Sequence, residues 1–130
     1  MSRENVEIVK RGLESYFATG EVPWALFDED VEVHDHDTPD QGDYRGHAGY
    51  ARWLEDWGEA WADWSLEAEQ YLDAGDWVVV FVVMRTKGRG SGIETARQDA
   101  QLYRLRDGIC VETDYYNDRE LALKAVGLEE

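Results

Sequence analysis

Cysteine, proline and long apolar runs are all scarce in this sequence of 130 residues. Its single cysteine, Cys110, excludes an internal disulfide framework, and no histidine lies close by in sequence to activate it as a nucleophile. No apolar run approaches the roughly 20 residues that span a bilayer, and the N-terminus shows no signal-peptide pattern. We therefore expect a cytoplasmic protein.

Positive charge is scarce as well, since 13 lysines and arginines accompany 29 aspartates and glutamates. The net charge of −16 repels nucleic-acid phosphates and anionic lipid headgroups, so we expect neither nucleic acid nor membrane as a partner. Apolar residues still make up 43% of the chain, which is enough for one globular domain around a single core.

Hydrophobic periodicity predicts mainly helices in the first half of the chain and strands in the second. Apolar residues at three- and four-residue spacing predict a helix from Ser2 that ends at Gly20, and another from His47 to Asp63 after a loop from Thr38. The period then changes to two, which predicts a four-stranded antiparallel meander at residues 66–72, 77–85, 93–105 and 109–116, followed by a short helix at 118–125. With an early strand at Val31, this order predicts an α+β fold in which a curved antiparallel sheet wraps the helices.

Tryptophan is frequent on the second predicted helix. The indoles of Trp53, Trp57, Trp61 and Trp64 follow three- and four-residue spacing, which places them on one helix face. Ordinary core packing is one interpretation of such a face. The other is a pocket wall for a planar or aromatic ligand, because four indoles exceed what a domain of this size normally needs as filler.

The early strand places a carboxylate on a core-directed face. Side chains alternate along a strand, so Asp35 shares a face with Val31 and Val33. A carboxylate there costs free energy unless it is paired, hydrogen-bonded or functional, which makes Asp35 a candidate general base. The alternative is a structural aspartate that caps the following loop or pairs with Arg45.

The opposite face of this strand carries Glu32, His34 and His36. The His-x-His spacing places two imidazoles on one face, as metal sites require, but the sequence shows no evident third ligand. We therefore expect an exposed Glu32, histidines at the surface, and neither a metal nor a cofactor.

One face of the strand predicted at 93–105 is polar and carries Arg97, Asp99, Gln101 and Tyr103. Asp99 is a candidate acid or base, and the alternative is a buried ion pair with Arg97, two residues away on the same face. On the last strand, alternation points Thr113 and Tyr115 inward. We therefore expect Asp114 to be exposed.

Short motifs follow one another in a characteristic order: Glu4-Asn5-Val6, Gly20-Glu21, Asp30 to Asp35, Tyr44-Arg45-Gly46, Asp73 to Asp76, Gly90-Ser91-Gly92, Leu105 to Gly108, and Asp118-Arg119-Glu120. Their order and spacing over almost the whole chain resemble the SnoaL-like branch of the NTF2-like superfamily, which includes polyketide cyclases and ketosteroid isomerases. The resemblance implies a cone-shaped α+β barrel with an apolar pocket between the helices and the concave sheet face. The same fold hosts isomerases, cyclases, dehydratases and non-catalytic binders.

The resemblance also implies a homodimer through the outer face of the sheet. The strand from Trp77 to Met84 is apolar on both faces, and its second face needs cover, which suits such a dimer.

By this resemblance, Asp35 falls where ketosteroid isomerases carry the carboxylate that moves a proton at carbon. Gln101 falls where they carry the protonated acid that donates to the enolate oxygen. Leu13 occupies the position of their oxyanion tyrosine, so the isomerase oxyanion hole is not reproduced. Tyr16, one turn further on, is the candidate substitute, or else a core residue.

Together these features predict a protein with a pocket for a small apolar or aromatic molecule, and cofactor-free proton transfer at carbon as its reaction. Asp35 is the predicted base, Gln101 and Tyr103 polarise a carbonyl, and Asp99 is a further acid–base candidate. The predicted ligand-binding residues are Tyr16, Trp53, Trp57, Trp61 and Tyr115. The alternative is a non-catalytic ligand-binding or accessory module with the same pocket.

Overall fold

The structure is a computed structural model that describes residues 2–36, 42–59, 61–88 and 90–128, without the side chains of residues 2, 42, 57–59 and 61–63. The elements in chain order are α1 (Ser2–Thr19), a 3-10 turn (Trp24–Leu26), β1 (Phe27–Asp35), β2 (Gly42–Arg45), α2 (Gly46–Glu59), β3 (Trp61–Ala74), β4 (Trp77–Gly88), β5 (Glu94–Arg106), β6 (Ile109–Tyr116) and α3 (Arg119–Ala125).

The six strands form one sheet in the order β2-β1-β6-β5-β4-β3. Strands β3 to β6 pair antiparallel in sequence order, so the predicted meander and the α+β class are confirmed. The sheet is mixed and unclosed, because β1 lies parallel to β6 and β2 forms the opposite edge from β3. No helix in the described ranges is long and apolar enough to cross a membrane.

The structure corrects two boundaries around the second helix. The predicted loop from Thr38 contains strand β2, which pairs with β1 so that Arg45 lies opposite Glu32. Helix α2 ends at Glu59, and Trp61 and Trp64 lie on β3 rather than on the helix. The backbone of β3 pairs with β4 from its first residue onward, and this pairing outweighs the helical spacing of the indoles.

Helices cover both faces of the central strands. On the concave face, Val9 of α1 packs against Val78, Val80 and Val82 of β4. On the convex face, the fully buried Ala122 of α3 packs against Val79 of β4 and Leu102 of β5. Helix α3 of the same chain therefore buries the second apolar face of β4.

Helix α3 begins at a well-formed cap. The side chain of Asp118 accepts hydrogen bonds from the backbone N–H groups of Glu120 and Leu121. These two donors have no partner inside the helix, so the cap satisfies them and fixes where α3 starts on the convex face.

Candidate functional site

A cavity of about 110 Å³ lies between α1, α2 and the concave face of the sheet. This volume is well above the about 10–15 Å³ that a single water molecule needs. The wall is mostly apolar and aromatic, with contributions that include Val9, Leu13, Leu26, Phe27, Leu54 and Met84. A few polar side chains enter it from β1, β5 and β6, as is typical of small-molecule sites.

Asp35 lines this cavity at the end of β1 and is 5% exposed. Its Oδ2 atom accepts a hydrogen bond of 2.8 Å from Nε1 of Trp53 on α2. The β1–β2 register sets Gly42 opposite Asp35, whereas Arg45 lies opposite Glu32. The indole N–H group therefore orients the carboxylate in the cavity wall.

A network of three tyrosines and one glutamine occupies the middle of the site. Tyr50 of α2 and Tyr115 of β6 share a short hydrogen bond, and Tyr115 also bonds Tyr103 of β5. Tyr103 donates to Oε1 of Gln101 at 2.6 Å. Three separate elements thus bring their polar side chains into one buried chain of hydrogen bonds.

The hydrogen bond from Tyr103 leaves Gln101 with an unused donor. Tyr103 gives its hydroxyl proton to Oε1 of Gln101, whereas either hydroxyl can be the donor in the bond between Tyr50 and Tyr115. No side chain in the described ranges accepts a hydrogen bond from the amide NH₂ group of Gln101, so this group can donate to a bound molecule.

Burial keeps these hydroxyls protonated. It raises the pKa of Tyr115 to about 12, although hydrogen bonds with Tyr50, Thr113 and Tyr103 act in the opposite direction. Burial also raises the pKa of Tyr50 and of Tyr103 well above the usual value near 10. The hydroxyls of the network are therefore neutral at physiological pH.

Arg97 and Asp99 of β5 form an ion pair in the wall. The Arg97 Nη2 atom lies 2.8 Å from Asp99 Oδ2, as the ion-pair alternative in the sequence predicts. Asp99 is only 4% exposed, and its Oδ1 atom has no hydrogen-bond partner among the residues that the structure describes. This oxygen is a ready acceptor for a donor group on a bound molecule.

Aromatic rings form the remaining wall. The ring of Trp53 stacks on Tyr115 with centroids 4.4 Å apart, and Tyr16 and Trp64 also line the cavity. The side chains of Trp57 and Trp61 lie outside the described residues, so their predicted contact with a ligand stays a prediction. Of the predicted wall residues, the structure thus brings Tyr16, Trp53 and Tyr115 together around one cavity.

Cys110 also lies in the wall but is not a candidate nucleophile. It is 5% exposed, and burial raises the pKa of its thiol to about 12. The thiolate that nucleophilic catalysis requires is therefore scarce at neutral pH.

A second polar cluster lies on the convex face, where the sequence predicts surface residues. His34 of β1 has its Nδ1 atom 2.6 Å from Asp43 of β2 and its Nε2 atom 3.3 Å from Glu32. Glu112 of β6 brings a carboxylate oxygen to 3.9 Å from the same Nε2 atom. Glu112 escaped the sequence analysis because only the parallel pairing of β1 with β6 brings it opposite Glu32.

The expectation that Asp114 is exposed is wrong. It points to the convex face as predicted, but it is only 8% exposed there, with Oδ2 3.2 Å from Nε2 of His36. Burial and neighbouring Glu112 raise its pKa to about 8. Burial and the charge of His34 lower the pKa of His36, whose ring stacks on Tyr116.

Comparison with known proteins assigns the family. A family model described as the SnoaL-like domain matches residues 22–113. The chain belongs to the SnoaL-like family. No protein of curated function matches the sequence at a significant level.

Solved structures support the same fold. An NTF2-like protein of unknown function from Burkholderia pseudomallei K96243 is 18% identical, with a TM-score of 0.76 over 94% of this chain and 96% of the other. TerC, co-crystallised with polyporic acid, is 19% identical, with a TM-score of 0.74 over 95% and 98%. A candidate SnoaL-like polyketide cyclase from Jannaschia sp. CCS1 is 20% identical, with a TM-score of 0.73 over 99% and 95%. At these identities the SnoaL-like protein shares their fold, and its chemistry rests on its own side chains.

Proposed function

We propose that this SnoaL-like protein is an acid–base enzyme that moves a proton at carbon in an apolar, aromatic carbonyl compound. One observation carries the proposal: the strand register sets Asp35 beside Tyr115, and Tyr115 beside Gln101, in a row across the concave face. Neighbouring strands lie about 4.8 Å apart, so Asp35 and Gln101 start from backbone positions about 10 Å apart. In the proposal a ring-sized substrate lies over Tyr115, with the base at one end of the row and the donor at the other.

In this proposal Asp35 takes the proton from a carbon next to the carbonyl. Trp53 holds the carboxylate in place through its N–H group, and the apolar wall keeps water away from the reacting carbon. The electron pair of the broken C–H bond delocalises onto the carbonyl, so that negative charge develops on the carbonyl oxygen. The NH₂ group of Gln101 donates to that oxygen as the charge develops, and Tyr103 fixes the amide by its hydrogen bond to Oε1.

The remaining polar and aromatic groups define the substrate class. Stacked rings of Trp53 and Tyr115 favour a planar molecule, and the free Oδ1 atom of Asp99 favours one that carries a hydroxyl or N–H donor. An aromatic or polyketide-like carbonyl compound with such a donor meets both requirements. Isomerisation, aldol-type cyclisation and dehydration all begin with the same proton transfer.

A non-catalytic ligand-binding module is the second candidate. Two observations favour it: Tyr103 gives its hydroxyl proton to Gln101 while Tyr50 and Tyr115 bond each other, and Leu13 supplies no donor from α1. A cavity with only one amide donor binds a carbonyl compound but stabilises an enolate weakly.

Exchange of carbon-bound hydrogen separates the two candidates. The protein is incubated in D₂O with 6-hydroxy-2-tetralone or with polyporic acid as probes, binding is measured by calorimetry, and loss of C–H signals from 6-hydroxy-2-tetralone is followed by proton NMR. The enzyme proposal predicts protein-dependent exchange that Asp35→Asn abolishes while binding persists. Asp30→Asn, an exposed carboxylate on the same strand, is the matched control and leaves exchange unchanged.

Binding of 6-hydroxy-2-tetralone without any exchange in the natural protein supports the binding module and overturns the enzyme proposal for this class of carbonyl compound. Exchange that survives Asp35→Asn removes Asp35 from the role of base. The homodimer and the cytoplasmic location stay predictions, and analytical ultracentrifugation tests the first of them.

A further inference from the structure

The convex-face cluster lies apart from the cavity and is not used by the proposed reaction. Glu32 and His34 lie two residues apart on β1 and therefore share a face, and the parallel register places Glu112 of β6 directly opposite Glu32. One ligand atom from each of these three side chains lies within 4.8 Å of the other two. Two paired strands thus hold three electron-pair donors around one point.

The distances within the cluster suit a small transition-metal ion. The Nε2 atom of His34 lies 3.3 Å from Glu32 Oε1 and 3.9 Å from Glu112 Oε2. In a tetrahedral zinc site with bonds of about 2.1 Å, neighbouring ligand atoms are about 3.4 Å apart. The three side chains therefore need only small rotations to bind one ion together.

A second layer of contacts orients this set for a metal. Asp43 lies opposite His34 on β2, 2.6 Å from its Nδ1 atom, and so favours the neutral tautomer with hydrogen on Nδ1, in which the Nε2 lone pair faces the two glutamates. Arg104 approaches Oε1 of Glu112 at 3.9 Å, so it contacts the oxygen that does not face His34. In that tautomer the histidine and both carboxylates turn lone pairs toward each other, an arrangement that a bound cation stabilises.

Asp114 supplies a further buried acceptor beside the cluster. It lies opposite His34 in the β1–β6 register, is 8% exposed, and pairs with His36 through Oδ2. Its Oδ1 atom is buried and accepts no hydrogen bond within the part of the chain that the structure describes. A bound water molecule can satisfy such an oxygen.

We propose that Glu32, His34 and Glu112 form a binding site for a divalent transition-metal ion of the Zn²⁺ type on the convex sheet face. One imidazole nitrogen and two carboxylate oxygens match the ligand preference of Zn²⁺, and two negative charges neutralise the ion. Water molecules complete the coordination, since Glu32 is partly exposed. Failure of this proposal leaves the proposed function of the cavity untouched, because the two sites share no side chain.

Zinc titration of the full chain without a polyhistidine tag, after removal of bound metals with a chelator, tests the site. Calorimetry is expected to show one Zn²⁺ per chain, with affinity at least about tenfold lower in His34→Gln and in Glu112→Gln. Asp43→Asn loses about tenfold because it frees the imidazole to rotate. Glu67→Gln, an exposed carboxylate on β3, is the matched control and binds zinc like the natural protein.

Two further measurements keep the result specific. An excess of Mg²⁺ is expected to leave zinc binding unchanged, because Mg²⁺ prefers all-oxygen sites that retain water. A crystal grown with zinc should show an anomalous peak within bonding distance of His34 Nε2. Loss of affinity in Glu67→Gln equal to that in Glu112→Gln, displacement by Mg²⁺, or unchanged binding in His34→Gln would each overturn the proposal.

Discussion

The hydrogen bond from Trp53 to Asp35 allows a quantitative test of the site. Trp53→Phe removes the N–H donor that lies 2.8 Å from Asp35 Oδ2 and keeps an aromatic ring against Tyr115. Both partners are buried, at 8% and 5% exposure, so water does not readily replace the donor. A hydrogen bond to a charged group contributes about 1.5–3 kcal/mol, and the smaller ring loses about 1 kcal/mol of apolar burial. We therefore expect Trp53→Phe to lower the free energy of unfolding by about 2.5–4 kcal/mol.

A double-mutant cycle isolates the part of this loss that belongs to the Trp53–Asp35 pair. Asp35→Asn still accepts a hydrogen bond but without charge, so the coupling free energy between the two substitutions should be about 1–2 kcal/mol. Urea unfolding followed by far-UV circular dichroism gives the four free energies. The control cycle combines Trp53→Phe with Asp99→Asn, a cavity carboxylate paired with Arg97, and should be additive within about 0.5 kcal/mol. Coupling below about 0.5 kcal/mol in the first cycle, or equal coupling in both, would refute the assigned contact.

Two further predictions concern the tyrosine network and the cap of α3. Burial raises the pKa of Tyr50, Tyr103 and Tyr115. Absorbance of the tyrosinate band should therefore show at most four of the seven tyrosines ionised in the folded protein near pH 11. Ionisation of all seven tyrosines at that pH in the folded protein would contradict the network. The unfolded chain loses these protons near pH 10 while the folded chain keeps them, so stability falls as pH rises above about 10. Asp118→Ala should lower the free energy of unfolding by about 1 kcal/mol in urea titrations, since it removes the acceptor for two N–H groups at the start of α3. An equal loss in Asp76→Ala, an exposed turn residue, would show that the cap contributes nothing specific.

The local sequence pattern predicted side-chain positions best in elements that have one buried apolar face and one polar face. Strand alternation was enough to place Asp35 in the core-directed face of β1, because that strand has buried valines on one side and polar residues on the other. The same reasoning placed Asp99, Gln101 and Tyr103 together on β5. Glycine and aspartate at the turns set the limits of β6, which the sequence predicted to the residue.

The local sequence pattern mispredicted secondary structure where a segment pairs with a strand that is distant in sequence. Trp57, Trp61 and Trp64 do follow helical spacing in the sequence. The backbone from Trp61 onward nevertheless pairs with β4, beginning opposite Gly88, and so forms a strand instead of continuing α2. Strand β2 escaped prediction for a similar reason. Its residues are of types that are typical of turns, and they form a strand because they pair with β1.

The sequence by itself determined the family and the α+β class and predicted several of the polar side chains that line the cavity, because these depend on motif order and on periodicity within single elements. Tertiary structure decided which of those side chains meet. The parallel pairing of β1 with β6 alone places Asp35 beside Tyr115 on the concave face, and Glu32 opposite Glu112 on the convex face. Pairing register is set by packing across the whole sheet, and no single stretch of the chain carries that information.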